Sequence, residues 1–197
     1  MKSRTIDASN TRNLLRRLNG RRSVDVYEAA KEIWERDDPH TIRSVISTLR
    51  RGERVLNRAA AAHALYLMHG KAAIPALEKS VGNRREHPKV RGQAAEALAH
   101  NHREESHRVL RRNLNDPSKE VRFWCAYSLA QMADEDALMP LRKLAESDHR
   151  VVRGFWSVSK EAKSAIREIQ METKNRRKGC LFCSKGRTNK PPRKSHD

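Results

Sequence analysis

A pair of cysteines near the end of the chain has the residue types and spacing of metal ligands. Cys180 and Cys183 are separated by two residues, and His196 follows after twelve more. Thiolates and imidazoles bind zinc at such spacings, but a closed site needs four ligands. Lys178 and Lys185 beside the pair favour the reactive thiolate form. We interpret Cys180, Cys183 and His196 as a candidate zinc site, with redox chemistry or unreactive tail thiols as alternatives.

Three histidines lie close together in the sequence and raise the question of a second metal site. They are His100, His102 and His107. On a helix the first two would point about 200° apart, so they could not share one ion there. We interpret them as solvated turn residues, and we predict no cofactor apart from zinc in the tail.

An arginine that recurs at nearly constant spacing marks an internal repeat. Arg58, Arg91, Arg122 and Arg153 are 33, 31 and 31 residues apart, and a degenerate copy places Glu28 30 residues before the first. Each arginine is expected to open a helix whose small residues allow close packing. A second helix follows, with apolar residues at helical spacing. The period of about 30 residues predicts an all-α solenoid of stacked helix pairs.

The second helices carry a basic residue at a repeated position. In each, a core leucine is followed by two polar residues, and the second of these is basic in all four copies. Because successive helical residues turn by about 100°, at least one of the two faces solvent. Stacked units would align these residues into a basic column that binds the partner: Arg51, Lys79, Arg112 and Lys143. An ordinary solvated charged face is the alternative interpretation.

The net charge of +18 is distributed unevenly. Residues 1–22 contain seven basic residues and one acidic residue, and residues 171–197 contain nine and two, whereas residues 23–170 contain 26 and 21. We therefore expect a basic N-terminal segment or capping helix, a repeat domain, and a basic tail that is disordered. The excess positive charge favours an anionic partner, either an acidic protein or a nucleic-acid backbone.

The sequence also gives an expectation about the cellular compartment of the protein. Three cysteines, with Cys125 inside an apolar run, do not resemble a secreted disulfide framework. No apolar run approaches the roughly 18 residues that span a membrane, and the N-terminus has no apolar signal core. We expect a cytoplasmic protein without a membrane partner. A mitochondrial presequence is the alternative for the arginine-rich N-terminus.

The repeat resembles the HEAT repeat family, in the short form of phycobilisome-lyase-type repeats. Those repeats carry an Asp-Pro turn, then Val-Arg and an alanine-rich helix ending in leucine, as in Asp116-Pro117, Val121-Arg122 and Leu129. The resemblance covers about residues 23–165. It implies a right-handed superhelical solenoid of about four to five helix pairs. It also implies that each anchoring arginine pairs with a turn aspartate.

For this chain the implied arginine pairings are Asp116 with Arg122 and Asp148 with Arg153. The same resemblance raises iron binding, because HEAT-type deoxyhypusine hydroxylase holds iron with His-Glu pairs directly after the anchoring arginine. Here those positions hold Ala59-Ala60, Gly92-Gln93 and Phe123-Trp124. Because the ligands are missing, we reject that activity.

Two further enzyme classes remain as alternatives. Alkylpurine DNA glycosylases resemble HEAT arrays and use aromatic rings with a carboxylate, for which Trp124, Trp156 and Glu161 are the candidates. We interpret both indoles first as core residues, with few exposed aromatics elsewhere. Phycobilisome-lyase-like activity would need a bilin-handling residue, and Cys125 is interpreted as core. We therefore predict a non-catalytic HEAT-repeat scaffold that binds an acidic partner.

Overall fold

The structure is a computed structural model that describes residues 8–36, 39–68, 71–99 and 103–185. These residues form ten α-helices and two single-turn 3₁₀ helices, so the all-α prediction is confirmed. The α-helices are α1 (Ala8–Leu18), α2 (Ser23–Arg36), α3 (Pro39–Arg51), α4 (Val55–Leu67), α5 (Ile74–Gly82), α6 (Pro88–Ala97), α7 (Glu104–Asn113), α8 (Lys119–Gln131), α9 (Leu138–Ser147) and α10 (Val158–Lys185). The 3₁₀ helices precede α5 and α9, at Lys71–Ala73 and Glu135–Ala137.

The helices stack in two layers. In the first-helix layer, α2, α4, α6, α8 and α10 each contact the next member of the series. The second-helix layer consists of α3, α5, α7 and α9, and its members contact one another less extensively. Each second helix packs on the first helix that follows it, and α1 packs on α2, so the described helices form a helical repeat solenoid of five packed pairs, within the predicted four to five.

Small buried residues explain why the first helices approach so closely. Residues 59–62 of α4 are four consecutive alanines, all of them fully buried. Ala94 and Ala95 of α6 and Cys125 and Ala126 of α8 are buried to the same degree. Short side chains let neighbouring backbones pack tightly on both sides of a helix. The predicted close-packing role of these residues is therefore confirmed.

Turn residues start the first helices as their chemistry predicts. Nδ1 of His87 accepts a hydrogen bond from the backbone N–H of Lys89 at 3.1 Å, and a proline occupies the first position of α6. Before α8, a carboxylate oxygen of Asp116 accepts from the backbone N–H of Ser118 at 2.8 Å. Asp116 thus lies in the expected Asp-Pro turn, and α8 begins one residue after Ser118.

The last repeat differs from the prediction. Arg153 was expected to open a helix, but it lies exposed in the loop between α9 and α10. An isolated bridge between Val151 and Ser157 closes this loop. Gly154 adopts a φ of +83°, a conformation that favours glycine because it carries no Cβ. A tight loop therefore replaces the predicted first turn of a helix.

The final helix is also longer than predicted, because the sequence indicated a disordered tail after residue 170. α10 runs for 28 residues to Lys185, through the predicted boundary at residue 170. Its first half packs on α8 and α9, with Ala162, Ala165 and Ile169 buried. Residues 171–177 are rich in good helix formers and lack glycine and proline, so the helix propagates beyond its packed part. In the described part of the chain, no helix has the length and apolar character needed to cross a bilayer.

Candidate functional site

The basic column predicted from the sequence lies on the second-helix layer. All four residues are exposed, while the leucines two positions before them are buried: Leu49, Leu77, Leu110 and Leu141. Among the described residues, no carboxylate lies within ion-pairing distance of any member of the column. The four charges are therefore available to a partner.

Two members of the column are brought together directly. Arg51 and Lys79 line one groove of about 440 Å³ between α3 and α5, together with Arg50 and Asn83. α5 also packs on α7, which carries Arg112. In the described part of the chain, α7 and α9 do not pack extensively on each other. Arg112 is therefore not brought next to Lys143, the following residue of the column.

The anchoring arginines link successive repeats instead of marking a binding site. Arg58 donates to both carboxylate oxygens of Glu86, at 2.8 and 2.9 Å, and to the backbone carbonyl of Gly52 at 2.7 Å. Arg91 donates to the backbone carbonyl of Glu86 and forms a bidentate pair with Asp116. Each guanidinium thus holds its own turn and the carboxylate of the next turn.

The predicted partners of these arginines were wrong by one repeat. The carboxylate of Asp116 pairs with Arg91, whereas Arg122 donates to the backbone carbonyl of Asp116. The carboxylate partner of Arg122 is Asp148, at 2.7 Å. Although burial raises the pKa of Asp148, hydrogen bonds from Arg150 and Arg122 hold that pKa below its ordinary value. Stacking places each turn beside the preceding arginine, and repeat spacing alone does not reveal this.

One of the three clustered histidines belongs to a polar network. Nδ1 of His107 lies 2.6 Å from a carboxylate oxygen of Asp134, and Arg111 contacts the same carboxylate at 3.0 Å. His107 is therefore not a solvated turn residue, because the turn before α9 places Asp134 against α7. His100 and His102 lie outside the described residues. Within the residues that are described, no three histidine, cysteine or acidic side chains form a metal-binding group.

The structure describes the side chain of one of the three cysteines, Cys125. Cys125 is fully buried in α8, and burial raises the pKa of its thiol, so its interpretation as a core residue is confirmed. Cys180 and Cys183 fall within the span of α10, but their side chains and the whole of His196 lie outside the described residues. The tail zinc site stays a prediction.

The aromatic residues form a continuous series along the first-helix layer. Its members are Tyr27, Tyr66, Phe123, Trp124, Tyr127, Phe155 and Trp156, together with His63. The two halves of the series meet where Tyr66 of α4 is hydrogen-bonded to Tyr127 of α8. The rings of the series therefore come from α2, α4, α8 and the loop before α10, and α6 contributes none.

The expected core role was wrong for Trp156, whereas Trp124 packs against the buried core. Trp156 is 44% exposed and the neighbouring Phe155 is 47% exposed, because the loop before α10 directs both rings outward. Trp124 is half-buried, with its ring centroid 5.1 Å from that of Phe155. At Gly92 of α6, an added Cβ would lie 3.0 Å from Trp124 Cδ1, so glycine allows this close approach. Large exposed rings on a soluble surface commonly indicate a contact site.

Two carboxyl groups flank the aromatic series. Oε2 of Glu161 accepts a hydrogen bond from the indole N–H of Trp156 at 2.8 Å. Glu96 on α6 is hydrogen-bonded to Gln93. Burial raises the pKa of Tyr127, between these helices, to about 12, and the negative charges of Glu96 and Glu161 add to the effect. Tyr127 therefore lies within electrostatic range of two carboxyl groups.

Sequence reasoning missed Glu96 and Tyr127, although a signal for them exists. Each lies five residues after its anchoring arginine, and His63 holds the same position in α4. One register of the repeat therefore lines the first-helix layer with polar and aromatic groups.

The pKa of Glu96 yields a stability prediction. Burial raises this pKa from its ordinary value near 4.5 to about 7. The protonated carboxyl is compatible with the fold below pH 4.5, and its stabilising contribution is lost as the pH rises through 7. We expect Glu96→Gln to raise the free energy of unfolding by roughly 1–2 kcal/mol at pH 8, after discounting for solvent screening.

The measurement is urea denaturation of both proteins at pH 4 and pH 8. At pH 4 the two should differ little, because both side chains are then neutral. A stability difference of the same size at both pH values would contradict the assignment. Glu168→Gln, on the exposed face of α10, is the control that should show no such pH dependence.

Comparison with known proteins agrees with this architecture. Residues 82–155 match the family model described as HEAT repeats. No curated protein matches the sequence. The complex of CpcE and CpcF of phycocyanin lyase from Nostoc sp. PCC7120 is similar in structure, with a TM-score of 0.66 and 14% identity over 83% of this chain and 99% of that chain.

Human deoxyhypusine hydroxylase, solved in complex with glycerol, is also similar in structure. Its TM-score is 0.55, with 24% identity over 68% of this chain and 46% of the hydroxylase chain. This chain therefore corresponds to less than half of that protein. At these identities the two similarities establish the fold alone.

Proposed function

Because residues 82–155 of this chain are HEAT repeats within a helical solenoid, we propose that it is a non-catalytic binding scaffold for an acidic partner. The observation that carries the proposal is the column of exposed, unpaired cations on successive second helices, formed by Arg51, Lys79, Arg112 and Lys143. A rigid array that holds charges at intervals suits a polyanion, because the charges need not be ordered on binding.

The buried arginines of the repeat domain are already paired, so they are not available to bind a partner. The anchoring arginines are neutralised by carboxylates of the next repeat, so they serve packing. Arg111, next to Arg112 on α7, is likewise paired with Asp134. Among the described residues, the second helices also carry Arg43, Arg50 and Arg142 as exposed cations without an ion pair. The column adds to these charges, and its partner is an acidic protein surface or a nucleic-acid backbone.

Affinity capture with and without nuclease treatment tests this proposal and separates the two partner classes. We expect the full chain to retain an anionic partner, and the variant with all four column residues changed to alanine to lose it. Nuclease-sensitive capture would identify nucleic acid, and nuclease-resistant capture an acidic protein. Equal capture by both proteins would contradict the proposal.

A DNA-base glycosylase is the second candidate function. It is favoured by the arrangement of Trp124, Trp156 and Glu161 on one surface. It is weakened because Glu161 is buried and already accepts a hydrogen bond from Trp156, so its carboxyl is not exposed to a DNA substrate. The other enzyme alternative, phycobilisome-lyase-like activity, gains no bilin-handling residue from the described side chains.

Base release from alkylated duplex DNA distinguishes the second candidate from the scaffold. The scaffold proposal predicts no release above background by the full chain. Release that disappears in Trp124→Ala and Trp156→Ala, while the fold is retained, would establish the glycosylase instead. Release unaffected by both changes would point to a contaminating enzyme and would leave no support for the glycosylase.

A further inference from the structure

Buried carboxylates elsewhere in this protein have cationic partners. Asp116 pairs with Arg91, Asp148 with Arg122, and Asp134 with Arg111. Such pairing is expected, because removing an isolated charge from water is strongly unfavourable. With 42 lysines and arginines in the chain, cations are abundant.

Glu161, which is buried, and Glu96, which is half-buried, are exceptions to this pattern. Among the described residues, their hydrogen-bonding partners are the amide of Gln93 and the indole of Trp156, and no cation pairs with either carboxyl. Burial raises the pKa of both groups, as it does when no counter-charge is present. The two carboxyls lie on either side of α8, one on α6 and one on α10.

The surface between these carboxyls is aromatic. Tyr127 of α8 is within electrostatic range of both Glu96 and Glu161, and Trp124 lies one helical turn before it, with ring centroids 5.6 Å apart. The faces of aromatic rings attract cations, and indole is the strongest of the three ring types. Lys160 already shows this preference, because its Nζ lies 5.3 Å from the centroid of Trp156.

We propose that this surface binds the guanidinium group of an arginine side chain presented by a partner protein. A guanidinium is planar and stacks on Trp124 or Trp156, while its N–H groups donate to the half-buried carboxyl of Glu96. Glu161 is buried and accepts from Trp156, so it holds that indole in place and does not contact the ligand directly. The ligand supplies the positive charge that both carboxyls lack. This site is on the first-helix layer and is separate from the basic column of the proposed function.

Guanidinium is favoured over a nucleic-acid base or a simple ammonium by the composition of the site. Two carboxyls would repel a phosphate backbone, so nucleic acid is a poor occupant. An ammonium offers three donors in no fixed plane, whereas a guanidinium offers five in a plane that matches flat rings and carboxylates. Citrulline, the neutral isostere of arginine, is therefore the sharpest comparison.

The test uses the ¹⁵N-labelled full chain and a blocked peptide, Gly-Gly-Arg-Gly-Gly, with the indole N–H signals of Trp124 and Trp156 as reporters. We expect these signals to shift on titration, and the citrulline peptide to bind at least 10-fold more weakly. The four-alanine column variant should bind the arginine peptide as the wild type does. Failure of the scaffold proposal and failure of this one are therefore distinguishable.

Two substitutions should change the affinity in opposite directions. Trp124→Ala should weaken binding at least 10-fold, because it removes a stacking ring. Lys160→Ala should strengthen binding about 3-fold, since it frees one face of Trp156 and removes a positive charge that repels the guanidinium. Misfolding of the variant could not produce such a gain in affinity. Lys163→Ala, an equal loss of charge at an exposed position of α10, is the control without effect.

Three results would overturn the inference. The first is equal affinity for the arginine and citrulline peptides. The second is unchanged affinity in both Trp124→Ala and Lys160→Ala. The third is a shift of the same indole signals by a DNA oligonucleotide and not by the arginine peptide, which would assign the surface to nucleic-acid bases.

Discussion

Replacing Arg91 with alanine is expected to lower the free energy of unfolding by about 3–5 kcal/mol. The guanidinium of Arg91 forms a buried bidentate pair with Asp116, whose side chain has no exposed surface, and also holds the backbone carbonyl of Glu86. Removing the arginine leaves a carboxylate buried without its counter-charge. Denaturation in guanidinium chloride at neutral pH measures the loss.

A second variant separates the buried charge from lost packing. If the unpaired carboxylate causes the damage, Asp116→Ala added to Arg91→Ala should recover part of the stability. Arg112→Ala, which removes an exposed and unpaired arginine, should change stability by no more than about 0.5 kcal/mol. A loss below about 1 kcal/mol for Arg91→Ala would show that the link between repeats contributes little.

Changing the four column residues to alanine is expected to weaken polyanion binding on the order of 100-fold at about 0.1 M salt. Each exposed cation that neutralises an anionic group releases counterions, so the slope of log Kd against log salt should fall by about 3–4. Fluorescence anisotropy with a labelled DNA duplex and with a labelled polyglutamate peptide measures both quantities. The fold should be unaffected, because these side chains are exposed and unpaired.

The two layers of helices could be predicted from the sequence because equivalent residues of the repeats can be aligned with one another. Arginines at a period of about 30 residues, alanines in the first helices and leucines in the second each specify one packing position. The column residues were exposed as expected, because a polar residue two positions after a buried leucine turns about 200° away from the core. Local rules of helix periodicity are sufficient for such features.

Features that depend on contacts between repeats could not be predicted in the same way. The pairing of Arg91 with Asp116 joins residues 25 apart, and only the stacking of the two turns makes it favourable over a pair within one turn. The exposure of Trp156 could not be predicted, because the sequence of the last unit resembles the start of a helix. In the structure, Gly154 allows a tight loop there instead. The aromatic series likewise became visible only when the helices were stacked, because its members come from α2, α4, α8 and the loop before α10.

The most direct test of the binding column compares it with an equal loss of charge elsewhere. The comparison variant removes four exposed cations from α2 and α10: Lys31, Lys163, Arg167 and Arg176. Both variants have a net charge lower by four, so bulk electrostatics affects them alike. The account predicts that the column variant binds the polyanion at least 10-fold more weakly than the comparison variant. Equal affinities of the two variants would contradict it and would assign polyanion binding to net charge alone.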